Sequence, residues 1–255
     1  MDLYFELLKF PVFTIDDLKQ YYTNPESART AIKRLTAKGM ATKIRRNLYT
    51  CISGETSAPV ANRFQIASAL TPTAYVSHHT AMEYYGITDQ VFYEVYVASE
   101  TEFQGFSFDG YTYRFVRSRL ADGVEKAPFS GGIHITDRER TVLDSIKDMD
   151  KIAGAEEVFS NIQSIKRLSE EKLICYLDRY ENQFLYQKTG YILSHMQNNF
   201  GLTDAFFTLC KEKAGKSTRY LSNEYKKGTF DAEWNLVIPA YLFESKNGGM
   251  ADADI

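Results

Sequence analysis

Between Arg29 and Arg46 the chain carries seven basic side chains and no acidic one: Arg29, Lys33, Arg34, Lys38, Lys43, Arg45 and Arg46. Such a run suits phosphate oxygens, and arginine can also donate a bidentate pair to a guanine edge. Charge alone fits a solvated basic face equally well, so the local pattern has to decide. A second group, Asp137, Glu139 and Asp144 with Arg138 and Arg140, has the residue types of a nuclease or phosphotransfer site. Thr136 and Glu139 have capping-box spacing there, so the charges read as a helix start and no catalytic residue is assigned. His78-His79 could suggest a metal, but adjacent helical residues point about 100° apart. No acid or cysteine stands at ligand spacing nearby, and neither a metal nor a cofactor is expected. The chain has no G-x-S-x-G, no H-E-x-x-H and no glycine-rich phosphate loop.

The elements that must carry the basic run are legible around it. Leu3, Tyr4, Leu7 and Leu8 recur at helical spacing, and Pro11 ends that first helix. Thr14 predicts an N-cap, with Asp16 and Asp17 in the first turn of a second helix. Asn24-Pro25 starts a third helix that runs to about Lys38 and stops at Gly39, with Ala28, Ile32 and Leu35 as its apolar stripe. Opposite that stripe stand Ser27, Thr30 and Arg34, flanked by Lys33 and Lys38. Residues 40–52 predict a short hairpin, with Lys43, Arg45 and Arg46 on it and Asn47 in its turn. Helix, helix, basic helix and basic hairpin is the order of a winged helix-turn-helix. Its expected DNA-binding residues are Ser27, Thr30, Lys33, Arg34, Lys38, Lys43, Arg45 and Arg46, the hairpin cations meeting phosphates.

The whole-chain net charge of −3 hides this division. Residues 1–50 hold nine basic and five acidic side chains, a net of +4, which leaves −7 for the rest. Two units with different partners are expected: a winged helix over 1–52, a linker over 53–59, a larger α/β domain over 60–246 and a flexible tail over 247–255. In the larger domain, strands are expected near Ala74–Val76, Val91–Val97 and Ile133–Ile135, with a hairpin around Asp109-Gly110. Helices are expected at about 153–166, 169–180, 184–199 and 203–213, then a strand at Trp234–Ile238. The fold class is α+β with a helical C-terminal part. Cys51, Cys175 and Cys210 lie far apart and read as reduced thiols. With no secretory signal and no apolar stretch of roughly 18 residues, a cytoplasmic protein without a membrane partner is expected.

Three segments in the larger domain carry a family resemblance. Tyr75-Val76-Ser77-His78-His79-Thr80-Ala81-Met82-Glu83-Tyr84-Tyr85-Gly86-Ile87 resembles a signature of AbiEi antitoxins, from bacterial abortive-infection toxin–antitoxin systems. Asp137-Arg138-Glu139-Arg140-Thr141-Val142-Leu143-Asp144 is similar to that family's E-R-T-L-L-D helix, and Lys188-Thr189-Gly190-Tyr191-Ile192-Leu193 to its G-Y-L-L helix. The likeness runs from about residue 3 to 240 and departs at Asn47, where the family's wing often has glycine. The resemblance implies a protein with two roles and no enzymatic activity of its own. Its winged helix would bind inverted repeats in its own promoter and repress the operon, while the rest neutralises a nucleotidyltransferase-like toxin. Two other readings remain open: an enzyme acting on nucleic acid through Asp137, Glu139 and Asp144, and a ligand-sensing transcriptional regulator.

Overall fold

Local signals account for the helices near the N-terminus. Asp2 caps α1 (Leu3–Leu7), its carboxylate accepting from the Tyr4 N–H at 3.1 Å. Asn24 caps α2 (Pro25–Ala37) in the same way, its Oδ1 accepting from the Glu26 N–H at 2.8 Å, with Pro25 at the first helical position. Ala28, Ile32 and Leu35 are buried along one side of α2. Gly39 ends it at φ +71, a left-handed conformation that costs glycine little. The second expected helix is a 3-10 turn over Asp16–Gln20, and Thr14 does not cap it. Both the N–H and the hydroxyl of Thr14 instead donate to Asp17 Oδ2, at 2.6 and 2.7 Å, so the acid reaches back and tightens the turn.

The computed structural model describes residues 2–88, 90–152, 154–196, 200–223, 228–240 and 242. The expected tail at 247–255 lies outside them. The architecture is mixed α+β, and the chain divides into two compact units. The first holds the described residues within 1–80, 91–119 and 124–136, and the second those within 81–90, 120–123 and 137–255.

In the first unit, β1 (Ala41–Arg45) and β2 (Leu48–Cys51) form the hairpin, and Phe13 bridges Tyr49 as a third strand position. Tyr4, Leu7, Phe13, Leu18, Ile32, Leu35 and Cys51 meet in the core beneath. Then follow α3 (Arg63–Ser68), capped by Asn62 with Gln65 in a capping box, β3 (Tyr75–Val76) and the start of α4 (His78–Tyr84). Strands β4 (Glu94–Ser99), β5 (Phe106–Phe108), β6 (Tyr111–Arg117), β7 (Val124–Lys126) and β8 (His134–Thr136) join β3 in a six-stranded sheet, ordered β5-β6-β4-β3-β8-β7. The β5–β6 hairpin turns on Asp109-Gly110 as expected. The strand expected from Val91 starts only at Glu94, and Val91 and Tyr93 are exposed.

Residues 53–59 are not the linker the composition suggests. Ser53 N–H donates to Ala58 O at 2.9 Å, Ile52 bridges Pro59, and Val60 N–H returns to Cys51 O at 2.9 Å. Thr50 Oγ1 ties Pro11 O (2.7 Å) and accepts from the Ala61 N–H (3.1 Å). Small polar residues here close a hydrogen-bonded turn, so the winged-helix segment and the sheet share one unit.

The second unit is helical: α5 (Arg138–Ile152), α6 (Ala155–Gln163), α7 (Glu170–Tyr180), α8 (Gln183–Ser194) and α9 (Asp204–Lys213). A small sheet of β9 (Arg219–Tyr220), β10 (Gly228–Asp231) and β11 (Leu236–Pro239) completes it, in the order β10-β11-β9. Helix α8 is buried on all sides from Leu185 to Leu193, the pattern of a central helix. Gly190 lies against the Trp234 ring, and a Cβ there would overlap the ring and stand 3.0 Å from Cys210 Cβ. Gly190→Ala is expected to cost about 1–3 kcal/mol by overpacking. Chemical denaturation followed through Trp234, the single tryptophan, checks it; an unchanged midpoint would show that α8 and Trp234 are not in close contact.

Candidate nucleic-acid interface

The basic residues become a site through the way α2 and the hairpin are joined. A groove of about 880 Å³ lies between them, lined by Ile15, Asp16, Arg29, Ile32, Lys33, Thr36, Ala37, Lys43, Arg46, Asn47 and Tyr49. Four cations therefore border one concavity: Arg29 and Lys33 from α2, Lys43 and Arg46 from the hairpin. The acid on its rim, Asp16, is paired with Lys19 at 2.8 Å. Converging positive charge over a low-dielectric wall concentrates the field at the groove and favours an anionic ligand.

Of the expected residues, Lys33, Lys43 and Arg46 come together here. Ser27, Thr30 and Arg34 are exposed along the outer side of α2, away from its buried stripe. Lys38 is the C-cap of α2, exposed but outside the groove. Arg45, the third hairpin cation, lies outside the groove lining. It is half-buried, with its guanidinium 5.7 Å from the Phe103 ring centre and 5.6 Å from that of Phe106. The cause is a bulge: Lys43 pairs with Tyr49 but Arg45 with Leu48, so the strand register shifts between them. Period-two alternation would put Lys43 and Arg45 on one face, and the extra residue separates them. Arg45 is thereby spent on aromatic packing within its own unit.

Arg29 and Asn47 line the groove but were not among the expected contacts. Arg29 could have been found from its position four residues before Lys33, on the same side of a helix. Asn47 supplies the turn between β1 and β2 at φ +57, where glycine is common and asparagine is tolerated. Its side chain adds what glycine lacks: Oδ1 accepts from the Ile15 N–H at 3.1 Å, tying the hairpin tip to the segment before the 3-10 turn. Asn47→Ala is expected to cost about 1–2 kcal/mol, through the left-handed backbone and the lost tether. Asn47→Gly should cost less, since it keeps the backbone freedom. Circular-dichroism melting ranks the two, and hydrogen exchange at the Ile15 amide should quicken in both. Equal stability of the Ala and Gly variants would contradict the left-handed turn.

The second charged group is organised differently. Asp137, rather than Thr136, caps α5: its Oδ1 accepts from the Arg140 N–H at 2.9 Å, while Thr136 is buried at the end of β8. Its other oxygen accepts from Lys172 Nζ at 2.9 Å and Tyr176 OH at 2.7 Å. Burial, reinforced by that hydrogen bond, pushes the Tyr176 phenol well above its usual range. Glu139 Oε1 accepts from the Ser169 N–H at 2.7 Å. Asp144 accepts from Arg140 Nε at 3.1 Å and from Tyr180 OH. Each carboxylate thus has structural partners. His79 stacks on Phe92 at 4.1 Å, and among the described residues no three His, Cys, Asp or Glu side chains group as a metal site. Cys51, Cys175 and Cys210 are free thiols. Burial raises Cys51 to about 11 and Cys210 to about 12, so both stay protonated at neutral pH. Among the described residues no helix is long and apolar enough to cross a membrane.

No family model and no curated protein matches the sequence. Among solved structures, the fold is similar to the crystal structure of the RV2827C protein from Mycobacterium tuberculosis, with a TM-score of 0.64. That alignment covers 97% of this chain and 94% of the other at 14% identity, so the likeness is one of fold alone.

Proposed function

We propose that this protein is a DNA-binding antitoxin that represses its own operon. The observation that carries the DNA-binding part is the groove between α2 and the hairpin, where Arg29, Lys33, Lys43 and Arg46 converge beside the exposed Ser27, Thr30 and Arg34. Helix α2 would enter the major groove, with Arg34 reaching a guanine edge and Ser27 and Thr30 bases or phosphates. Lys43 and Arg46 would hold the adjacent backbone. The antitoxin part rests on the resemblance of residues 75–87, 137–144 and 188–193 to AbiEi proteins. It assigns a nucleotidyltransferase-like toxin as protein partner, and inverted repeats in its own promoter as the DNA site. Three free thiols fit a reducing, cytoplasmic setting.

Fluorescence anisotropy with the duplex upstream of its operon, against a scrambled duplex, tests the first part. Binding should prefer the upstream duplex and weaken steeply as salt rises. No binding, or salt-independent binding, removes it. Co-expression with the neighbouring reading frame tests the second: growth arrest by that frame alone, relieved by this protein, is the expected result.

A further inference from the structure

We propose that Glu26 sets the base selectivity of α2 by exclusion, a refinement that rests on the DNA-binding reading above. Glu26 is the single carboxylate on α2, and the single acid between Leu18 and Gly54. It sits in the first helical turn, with 72% of its side chain exposed. A turn of about 100° per residue places Glu26, Thr30, Lys33 and Ala37 in one row, facing away from the buried Ala28, Ile32 and Leu35. The N-terminal part of such a helix is the part that reaches base edges. Arg29 holds the Glu26 carboxylate by an ion pair, and Arg29 also lines the basic groove.

A carboxylate at this place weakens attraction to phosphates on every sequence. A first-turn acid does favour the helix dipole, and that accounts for its presence without giving it any part in recognition. The two roles differ in what they do to sequence preference. An ionised carboxylate only accepts hydrogen bonds. In the major groove the donors are the N4 amino group of cytosine and the N6 amino group of adenine. Guanine O6 and N7 and thymine O4 are acceptors, and would face the carboxylate with no proton between them. Glu26 therefore admits cytosine or adenine at the base it meets and rejects guanine and thymine. Repulsion of wrong partners is a recognised route to specificity.

The test is selection of preferred duplexes from a randomised pool with the wild-type protein, repeated with Glu26→Gln. Glutamine keeps the length and the capped N–H but adds donors and removes the charge. The wild type should show cytosine or adenine at one position of its site. The variant should lose at least about tenfold of the discrimination at that position, and no other. It should also bind random duplex several-fold more tightly. A variant with unchanged preference at every position, beside a wild type that binds selectively, overturns this inference and leaves the DNA-binding reading standing. A wild type that binds no duplex overturns both. A role confined to the helix dipole would lower the melting temperature of Glu26→Gln while leaving base preference untouched.

Discussion

Asp144→Ala is expected to destabilise the second unit by about 3–5 kcal/mol, the cost of stripping a buried cation of its partner. Arg140 is fully buried, with its side chain 0% exposed and that of Asp144 4%. The guanidinium donates through Nε to Asp144 Oδ1 and through Nη1 to Leu120 O and Asp122 O, at 3.1, 3.1 and 2.6 Å. Tyr180 also donates to Asp144, and its ring lies 5.1 Å from the guanidinium carbon. Removing the carboxylate leaves these carbonyls in place but takes away the negative charge. Urea denaturation followed through Trp234 should show a lower midpoint, since that side chain is buried in the same unit. The double variant Arg140→Met/Asp144→Leu should recover much of the loss, because replacing a buried pair by apolar groups of similar volume is often close to neutral. A loss below about 1 kcal/mol in Asp144→Ala would mean that the pair is hydrated and the charge never depended on it. The same variants bear on the enzymatic alternative. A stability effect without any nucleic-acid chemistry in the wild type is what a structural Asp144 produces; metal-dependent cleavage lost in a folded Asp144→Ala protein would reopen that reading.

The combined variant Lys33→Ala/Lys43→Ala/Arg46→Ala is expected to lose DNA affinity by about 10²–10³-fold near 0.1 M salt. Each phosphate contact releases close to 0.9 of a counterion, which at that concentration is worth roughly a factor of eight. The slope of log affinity against log salt should become shallower by roughly 2–3 units. The loss should be alike on upstream and scrambled duplexes, because phosphates carry no base identity. Arg34→Ala should differ in kind, costing affinity mainly on the preferred site and relaxing selectivity there. Arg45→Ala gives a further contrast. With its guanidinium over Phe103 and Phe106, it should change the stability of the first unit more than the salt slope. A salt slope lowered as much by Arg45→Ala as by Lys43→Ala would place Arg45 on the DNA after all.

Helix α2 was legible nearly residue by residue, since a capping Asn24, Pro25, a stripe at i, i+4 and i+7 and a left-handed Gly39 all act within a few residues. The hairpin was legible as an element but not in detail. Its bulge depends on Tyr49 and Leu48 across the strand pair, and alternation along one strand cannot reveal it. The start of α5 was placed correctly with the wrong cap, because Thr136 and Asp137 both have the chemistry and only pairing of β8 buries the first. The same limit explains Thr14, whose partner Asp17 turns a capping signal into a tightened 3-10 turn.

By itself, the sequence determined which residues could meet an anion and that most of them lie on α2 and a following hairpin, because charge and helical period are properties of neighbours. Only the tertiary structure decided that Arg29, Lys33, Lys43 and Arg46 share one groove, that Arg45 turns away to aromatic rings, and that Asn47 ties the hairpin tip to Ile15, 32 residues away. It also decided that residues 53–59 are bonded into the first unit instead of freely joining two. Each of these depends on groups brought together by packing, and a linear pattern holds no record of which distant carbonyl or ring a side chain will meet.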